Sequence, residues 1–277
     1  GNSLACSIIL NPFYPIKEPR SYLIFFMKAW NKDGTPCDHP EPWGLPGVFT
    51  TLRIVADQSI PFYEDYLSRL LDSAEKVGLP WIPQAAEIQK KLSGFLSDMK
   101  PDDGLLRICL FHNLLGLSSR PAVADGKPVE GWLLHYRRPE PTIKSTCEKE
   151  LYGTLHELDL EKEDWVIIDP KDNDIRETAT ANLIFVKDYQ LLIPNKSVLQ
   201  GIVLQKILPY LDDSFEILRG IPLDQDIPSF TEILLCGTGR GVAPLHSLPE
   251  LGWSPKSNEV FMQVRSHYEE IIQSASA

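Results

Sequence analysis

Lys144 is the residue of this sequence whose type and surroundings most directly suggest covalent chemistry. It lies in the run Pro141-Thr142-Ile143-Lys144-Ser145-Thr146, in which its neighbours are apolar or carry hydroxyl groups and none is charged. A lysine in a partly buried site has a lowered pKa, and its neutral amine can then form a Schiff base with a carbonyl carbon. The same residue alone could equally be a solvated surface lysine, so the chemistry requires other groups to converge on it.

Glu177 is a carboxylate that stands directly before an apolar strand. From Glu177 to Val186 the sequence reads Glu-Thr-Ala-Thr-Ala-Asn-Leu-Ile-Phe-Val, which passes from small residues to a hydrophobic stretch. A carboxylate that enters an apolar strand is costly unless a cation pairs with it. A positively charged ring nitrogen would be such a partner, and a solvent-facing turn is the alternative.

Two glycine-containing turns offer backbone N–H groups to an anion. Gly201 precedes a predicted helix in Leu199-Gln200-Gly201-Ile202-Val203-Leu204, where free N–H groups and the helix dipole favour a phosphate. The run Cys236-Gly237-Thr238-Gly239-Arg240-Gly241 follows a strand and adds a hydroxyl group. It lacks the long helix and the later acidic residue of a Rossmann dinucleotide site. Either turn alone could be an ordinary one.

An amine, a buried carboxylate and a phosphate cradle are the groups that a pyridoxal 5'-phosphate (PLP) enzyme needs. Their order resembles the class IV PLP-dependent aminotransferase family, which includes branched-chain and D-amino-acid aminotransferases and aminodeoxychorismate lyase. Lys144 and Glu177 are 33 positions apart, and the small-residue run after Glu177 ends in Asn182. Upstream, Gly47-Val48-Phe49 and Arg69-Leu70 resemble the family's Gly-x-Phe strand and Arg-Leu pair. The resemblance covers residues 47–244.

The resemblance implies a role for each matching residue. Lys144 would be the catalytic lysine that binds the aldehyde carbon, Glu177 would face the ring nitrogen, and Arg69 would hold the phosphate. The remaining phosphate donors would be Ile202, Val203 and Thr238.

The substrate side is represented by two arginines and a threonine. Arg53 and Arg240 are candidates to bind a substrate carboxylate, because a planar guanidinium suits bidentate pairing. Thr51 lies two positions before Arg53 and is a further candidate. A salt bridge on the surface is an equal alternative for both arginines.

The sequence departs from the family pattern in three places. Val203 and Leu204 stand where the family usually has Thr and often Arg, and Lys149 stands where a tyrosine near the cofactor's phenolic oxygen is common. Gly241 occupies the place of a common acidic residue. These departures leave open which residue takes the role of the tyrosine and whether enzymatic activity is reduced.

The strand Phe49-Thr50-Thr51-Leu52-Arg53 bears on the reaction. It resembles the Phe-Thr-Thr-x-Arg strand of aminodeoxychorismate lyases, so a lyase that forms p-aminobenzoate and pyruvate is the first expectation. An aminotransferase for branched-chain or D-amino acids is the alternative. A non-catalytic protein that keeps the PLP-binding fold is a third hypothesis.

The elements that must position these residues form a mixed α/β (α+β) pattern, in which helices alternate with strand pairs joined by turns. The resemblance implies fold type IV of PLP enzymes, with a small N-terminal α/β domain and a larger, β-barrel-like C-terminal α/β domain. Two prolines in residues 137–141 resist helix and central strand and predict a linker. We therefore expect an N-terminal domain over residues 1–136 that carries Arg69, and a PLP-binding domain over residues 142–277.

Periodicity and composition predict the individual elements. Helices are expected within residues 60–79, 85–99, 147–158, 198–211 and 258–275. Strands are expected at residues 47–55, 105–111, 132–136, 165–168, 215–218 and 232–236, with a hairpin over 182–186 and 191–193.

Composition excludes several functional classes. The formal net charge of -11 argues against nucleic-acid binding, and no apolar run approaches a membrane span of roughly 18–20 residues. The five cysteines contain no C-x-x-C pair and the six histidines show no metal-ligand spacing, so we expect no metal and a cytoplasmic location. The expected partner is a small amino-acid-like substrate, and the resemblance implies a homodimer.

Overall fold

The computed structural model describes residues 26–101 and 103–276, and its strands form two sheets. The smaller sheet is antiparallel and has the order β2-β1-β5-β4-β3. Its strands are β1 (Phe26–Asn31), β2 (Pro36–Cys37), β3 (Gly47–Ile54), β4 (Gly104–Phe111) and β5 (Leu114–Arg120). The strands predicted at residues 47–55 and 105–111 are confirmed as β3 and β4.

Two amphipathic helices cover one face of this sheet, α1 (Tyr63–Lys76) and α2 (Ala85–Met99). Both place apolar residues at helical spacing, and these residues pack with Leu52 and Ile108 of the sheet in one core. The buried helical residues of that core are Tyr66, Leu67, Leu70, Ala74, Ile88, Leu92 and Phe95. Both helices were predicted from this periodicity and are confirmed.

The larger sheet has eight strands, six of which close into a ring because β8 also pairs with β9. The ring order is β9-β12-β13-β6-β7-β8, and β10 and β11 extend it beyond β9. The strands are β6 (Val129–His135), β7 (Glu163–Ile168), β8 (Ile175–Thr178), β9 (Asn182–Lys187), β10 (Gln190–Ile193), β11 (Glu216–Arg219), β12 (Glu232–Gly237) and β13 (Gly241–Ser247). The expected mixed α/β class with a barrel-like part is confirmed.

Three helices accompany the larger sheet: α3 (Lys149–Tyr152), α4 (Ile202–Ile207) and α5 (Glu259–Ser276). Ile207 of α4 and Val264 of α5 share a core with Val242 of β13. The closing helix was predicted within one residue of its observed ends, whereas the other two helices are shorter than predicted.

The two shorter helices have local causes. The helix predicted over residues 147–158 ends at Tyr152, and only a 3-10 turn, Leu155–Glu157, follows it, because Gly153 and Thr154 favour helix poorly. The helix predicted over residues 198–211 begins only after Gly201. It gives way to a 3-10 helix at Leu208–Tyr210, where Pro209 has no N–H to continue the ladder.

Strand β6 lies on the N-terminal side of the predicted linker but belongs to the larger sheet. It pairs in parallel with β7 and with β13. The division into domains at residues 137–141 stays a prediction. Among the described helices, none has both the length and the apolar character needed to cross a membrane.

Candidate active site

Lys144 is held against β3 by the backbone. The N–H of Phe49 donates to the carbonyl of Lys144 at 3.0 Å, and the N–H of Thr146 donates to the carbonyl of Gly47 at 3.0 Å. The Nζ atom lies 4.9 Å from the ring centroid of Phe49 and 5.6 Å from that of Tyr152. The chain after the linker therefore delivers the amine into an aromatic-lined cavity.

The amine of Lys144 is adjusted for nucleophilic chemistry. Burial lowers the pKa of Lys144 from 10.5 to about 7, and the guanidinium groups of Arg69 and Arg138 add to the effect, while Glu177 opposes it. Desolvation and like charges both disfavour an ammonium ion. The amine of Lys144 therefore loses its proton more readily than that of an exposed lysine, as the sequence-based hypothesis requires.

Glu177 on β8 is buried and has a cationic partner. Its Oε1 accepts a hydrogen bond from Nη1 of Arg138 at 2.8 Å, and its Oε2 accepts one from the N–H of Leu199 at 3.4 Å. Burial raises the pKa of Glu177, and the charge of Arg138 opposes that rise. Sequence reasoning expected a cation here, and the protein supplies one of its own.

Arg138 is the residue of this site that sequence reasoning treated only as part of a linker. It is buried, and its donors reach Glu148, Glu177, the carbonyls of Pro141 and Ile143, and the hydroxyl of Tyr152. An arginine beside two prolines gives no local signal of burial. The available hint was its place six positions before Lys144 in the chain.

Arg69 of α1 lines the same cavity. It donates to the carbonyl of Gln200 at 3.3 Å and to Oγ1 of Thr50 at 3.2 Å, and burial lowers its pKa. Within the described part of the chain no carboxylate forms an ion pair with it. A half-buried guanidinium without a carboxylate partner suits an anionic ligand.

The two glycine turns meet beside Arg69. A Cβ atom on Gly201 would fall 1.9 Å from Oδ1 of Asn182, and one on Gly237 would fall 2.6 Å from the carbonyl of Thr180. Only glycine fits at these close approaches. Thr238 follows Gly237, and its Oγ1 is 2.5 Å from the hydroxyl of Tyr66.

One cavity thus brings together six of the predicted residues. Its walls include Lys144, Glu177, Arg69, Ile202, Val203 and Thr238. The side chain of Val203 is buried and packs into the core with Ile207, so at this departure from the family pattern the backbone faces the cavity without a hydroxyl group. In kind, the lining residues fit a phosphate-bearing aldehyde, because they include an amine, a buried carboxylate, a guanidinium, a hydroxyl group and two glycine turns.

The three predicted substrate residues do not line this cavity. Arg53 pairs with Asp103 and donates to the carbonyls of Ile54 and Gly104. Thr51 lines a neighbouring, larger cavity. The guanidinium of Arg53, which the sequence made a candidate to bind the substrate, is thus already hydrogen-bonded within the protein.

Arg240 is also committed to the protein. Its guanidinium donates to the carbonyls of Leu160 at 2.8 Å and Glu163 at 2.6 Å and to Oγ1 of Thr180 at 3.3 Å, and it lies 3.6 Å from Oδ2 of Asp164. A substrate carboxylate would have to displace these partners. The geometry gives the substrate assignment of Arg240 no support.

The third departure, Gly241, has a structural explanation. Its φ of 60° lies in the left-handed region, and a Cβ atom would fall 2.2 Å from Oδ1 of Asp125. Asp125 pairs with Arg265 at 2.7 Å. A carboxylate from elsewhere in the chain thus fills the space beside Gly241.

Arg107 is a candidate residue that sequence reasoning missed. It lines the larger cavity, of about 550 Å³, which shares Tyr152 with the lysine cavity. Its Cζ lies 4.8 Å from the ring centroid of Trp43 and 5.7 Å from that of Phe49. Burial lowers its pKa, and its buried Nε has no acceptor among the described residues. A cation interrupting the apolar strand β4 was the available signal.

Comparison with known proteins identifies the family. The model described as "Amino-transferase class IV" matches residues 47–248. No curated protein matches the sequence. The match spans the lysine cavity and all of its predicted cofactor residues.

Solved structures show the same fold at low identity. The chain resembles the branched-chain aminotransferase of the archaeon Thermoproteus uzoniensis, solved with norvaline, with a TM-score of 0.75, 17% identity, and coverage of 90% of this chain and 95% of that chain. A PLP-bound hypothetical aminotransferase from Mycobacterium tuberculosis gives a TM-score of 0.67, 17% identity, and coverage of 91% and 99%. The branched-chain aminotransferase from Escherichia coli gives 0.73, 15%, and coverage of 90% and 95%.

Proposed function

The chain belongs to the class IV aminotransferase family, whose cofactor is pyridoxal 5'-phosphate, and we propose that it uses this cofactor through Lys144 on an amino-acid-like substrate. The observation that carries the proposal is the cavity itself. An amine whose pKa is about 7 faces a buried carboxylate, and an uncompensated guanidinium lies to one side.

Each residue has a task that follows from its position. Bound PLP supplies an electron sink for the bond cleaved at the α-carbon of the substrate. Lys144 would bind the aldehyde carbon and, once released by the substrate amine, would move a proton at the α-carbon as a general base. Glu177 would keep the ring nitrogen protonated. Arg69, Thr238 and the N–H groups of Ile202 and Val203 would hold the phosphate.

The larger cavity supplies a place for the substrate carboxylate. Arg107 brings a positive charge that no described carboxylate pairs with, and its Cζ lies close to the rings of Trp43 and Phe49. A planar fork with free donors suits a carboxylate. We assign the carboxylate to Arg107 in place of the earlier candidates Arg53 and Arg240.

Two reactions are candidates. The strand motif from Phe49 to Arg53 favours an aminodeoxychorismate lyase. The similarity of the fold to branched-chain aminotransferases favours transamination of branched-chain amino acids, with D-amino acids as a further alternative. Supplying aminodeoxychorismate, and separately a panel of L- and D-amino acids with a keto acid, separates them. Release of p-aminobenzoate and pyruvate supports the lyase, and formation of the aminated cofactor supports the transferase.

Absorption spectroscopy tests the proposal before any substrate is known. Protein loaded with PLP should show a visible band from the linkage to lysine, and Lys144→Ala should lose it. Lys149→Ala is the matched control, because Lys149 is a nearby exposed lysine and its loss should leave the band in place. A wild-type protein that stays colourless with PLP would refute the proposal.

A further inference from the structure

Helix α1 contacts both glycine turns of the lysine cavity through two residues that lie one helical turn apart. Arg69 donates to the carbonyl of Gln200 in one turn at 3.3 Å. The hydroxyl of Tyr66 lies 2.5 Å from Oγ1 of Thr238 in the other turn. Residues three apart on a helix share a face, and Cζ of Arg69 lies 5.5 Å from the ring centroid of Tyr66. Tyr66 therefore belongs to the surroundings of the predicted phosphate site, although it does not line the cavity.

The hydroxyl groups of Tyr66 and Thr238 have only each other as hydrogen-bond partners among the described residues. Two hydroxyl groups carry two protons, and only one of these protons lies in the hydrogen bond between them. The other proton has no acceptor in the described protein. Which hydroxyl carries this unshared proton decides what Thr238 can offer to a ligand.

Burial assigns the unshared proton to Thr238. Tyr66 is 2% exposed, and it lies in the core with Leu70 and Ile108. If Thr238 donated to Tyr66, the proton of the tyrosine would be buried without an acceptor, which is costly. If Tyr66 donates instead, the unshared proton is that of Thr238. Thr238 lines the cavity, where a bound group can accept this proton.

Two further observations favour Tyr66 as the donor. Burial raises the pKa of Tyr66, so its hydroxyl keeps its proton. The guanidinium of Arg69 beside the ring is a positive charge, which makes the hydroxyl of Tyr66 a stronger donor and a poorer acceptor. The hydroxyl of Thr238 therefore accepts from Tyr66 and donates toward the cavity.

We propose that Tyr66 is a positioning residue for phosphate binding, which holds the hydroxyl of Thr238 so that its proton is available to a phosphate oxygen of the cofactor. The inference rests on the proposed function, because it requires that the cavity hold PLP. Tyr66 acts through Thr238 and does not touch the phosphate itself. Its hydroxyl should therefore contribute to the binding of a ligand that carries the phosphate and not to the binding of the ring alone.

The test compares two ligands that differ only in the phosphate group, PLP and pyridoxal. Each is titrated into protein freed of cofactor, and its dissociation constant is measured from the visible band of the linkage to lysine. Tyr66→Phe keeps the ring and removes only the hydroxyl. We expect its dissociation constant for PLP to rise about fivefold to tenfold, the size of an ordinary hydrogen bond. The dissociation constant for pyridoxal should stay that of the wild type.

Removal of the hydroxyl of Thr238 tests whether Tyr66 acts through it. Thr238→Val should raise the dissociation constant for PLP more than Tyr66→Phe does, because it removes the donor itself. Adding Tyr66→Phe to Thr238→Val should have no further effect, because the effects of two residues that act as one unit do not add. If the phenylalanine variant folds poorly, Tyr66→Met, which also lacks the hydroxyl, takes its place in both measurements.

The control is a second tyrosine of the same helix, Tyr63. Its hydroxyl is buried and has no hydrogen-bond partner in the described part of the chain, so Tyr63→Phe should leave both dissociation constants unchanged. Equal weakening of PLP and pyridoxal in the Tyr66 variant, no weakening of either, or additive effects in the double variant would overturn the inference. A wild-type protein that does not bind PLP would overturn the proposed function instead.

Discussion

The surroundings of Arg240 and of Arg107 differ in what the guanidinium groups bind. Arg240 is 2% exposed, and it donates to two backbone carbonyls and to Thr180 beside the buried Asp164. Arg107 lies against two aromatic rings at a cavity, and no carboxylate in the described chain pairs with it. The guanidinium of Arg240 thus cross-links parts of the protein, whereas that of Arg107 is open to bind an anion.

The Arg240 region also explains the wall of the lysine cavity. Oδ2 of Asp164 accepts hydrogen bonds from the hydroxyls of Thr178, at 2.8 Å, and Thr180. These two residues bracket Ala179, and all three line the cavity. Burial raises the pKa of Asp164, and Arg240 and the two hydroxyls oppose that rise. Arg240 therefore links the Gly237–Thr238 turn to the opposite wall.

The largest effect that we expect from this difference is a loss of stability when Arg240 is replaced. Arg240→Met should lower the free energy of unfolding by about 3–5 kcal/mol, because it leaves the buried carboxylate of Asp164 without its cation. Urea denaturation measures the loss. Arg219→Met is the control, since Arg219 is exposed and its removal should change stability by under about 0.5 kcal/mol.

Part of that loss should be recoverable. Adding Asp164→Asn to Arg240→Met removes the orphaned charge, so the double variant should be more stable than the single one. If Arg240→Met instead unfolds at the wild-type urea concentration, Arg240 is not a cross-link and the contrast with Arg107 disappears.

A smaller effect, on catalysis rather than stability, is expected at Arg107. Arg107→Met should lower kcat/KM by about tenfold to a hundredfold for the substrate that the assays identify, the size of a lost charge-assisted hydrogen bond. The free energy of unfolding should stay the same or rise, because an unpaired buried charge is removed. The kcat/KM of Arg107→Lys should lie between those of the wild type and Arg107→Met, since lysine keeps the charge but not the planar pair of donors. An unchanged kcat/KM in Arg107→Met would contradict the carboxylate assignment.

The smallest effect, on both stability and catalysis, is expected at Asp103. Its partner Arg53 resembles Arg240 in donating to backbone carbonyls of the protein. The side chain of Asp103 is 61% exposed, so solvent screens the ion pair. Asp103→Asn should cost under about 1 kcal/mol of stability and leave kcat/KM unchanged, because Arg53 keeps its carbonyl partners. A marked change in KM of Asp103→Asn would instead indicate that Arg53 contributes to substrate binding.

The sequence predicted best what depends on local pattern. Strand β3 follows from its β-branched and aromatic content and helix α2 from its apolar spacing, and the resemblance predicted Lys144, Glu177 and Arg69 as parts of one site. The six-strand ring was only implied by the resemblance, because its closure depends on the pairing of β8 with β9 and of β6 with β13. Local patterns do not encode such long-range pairings.

The residues that sequence reasoning misplaced are arginines. Arg138 pairs with Glu148 and Glu177, which are 10 and 39 positions later in the sequence. Neither separation matches the periodicity of a helix or a strand, so the sequence pattern does not indicate these pairs. The sequence made Arg240 a candidate for the substrate carboxylate and did not single out Arg107. What separates a cross-linking guanidinium from an open one is the set of acceptors around it, and only the folded chain shows that set.

The central claim is that Lys144, and no other lysine, carries the cofactor. Reducing the PLP-loaded protein with borohydride fixes the linkage to lysine, and peptide mass spectrometry then locates it. The account predicts the added mass on the peptide that contains Lys144 and none on the peptide of Lys144→Ala. Cofactor mass on a different lysine, or a PLP-binding protein with no labelled lysine, would contradict it.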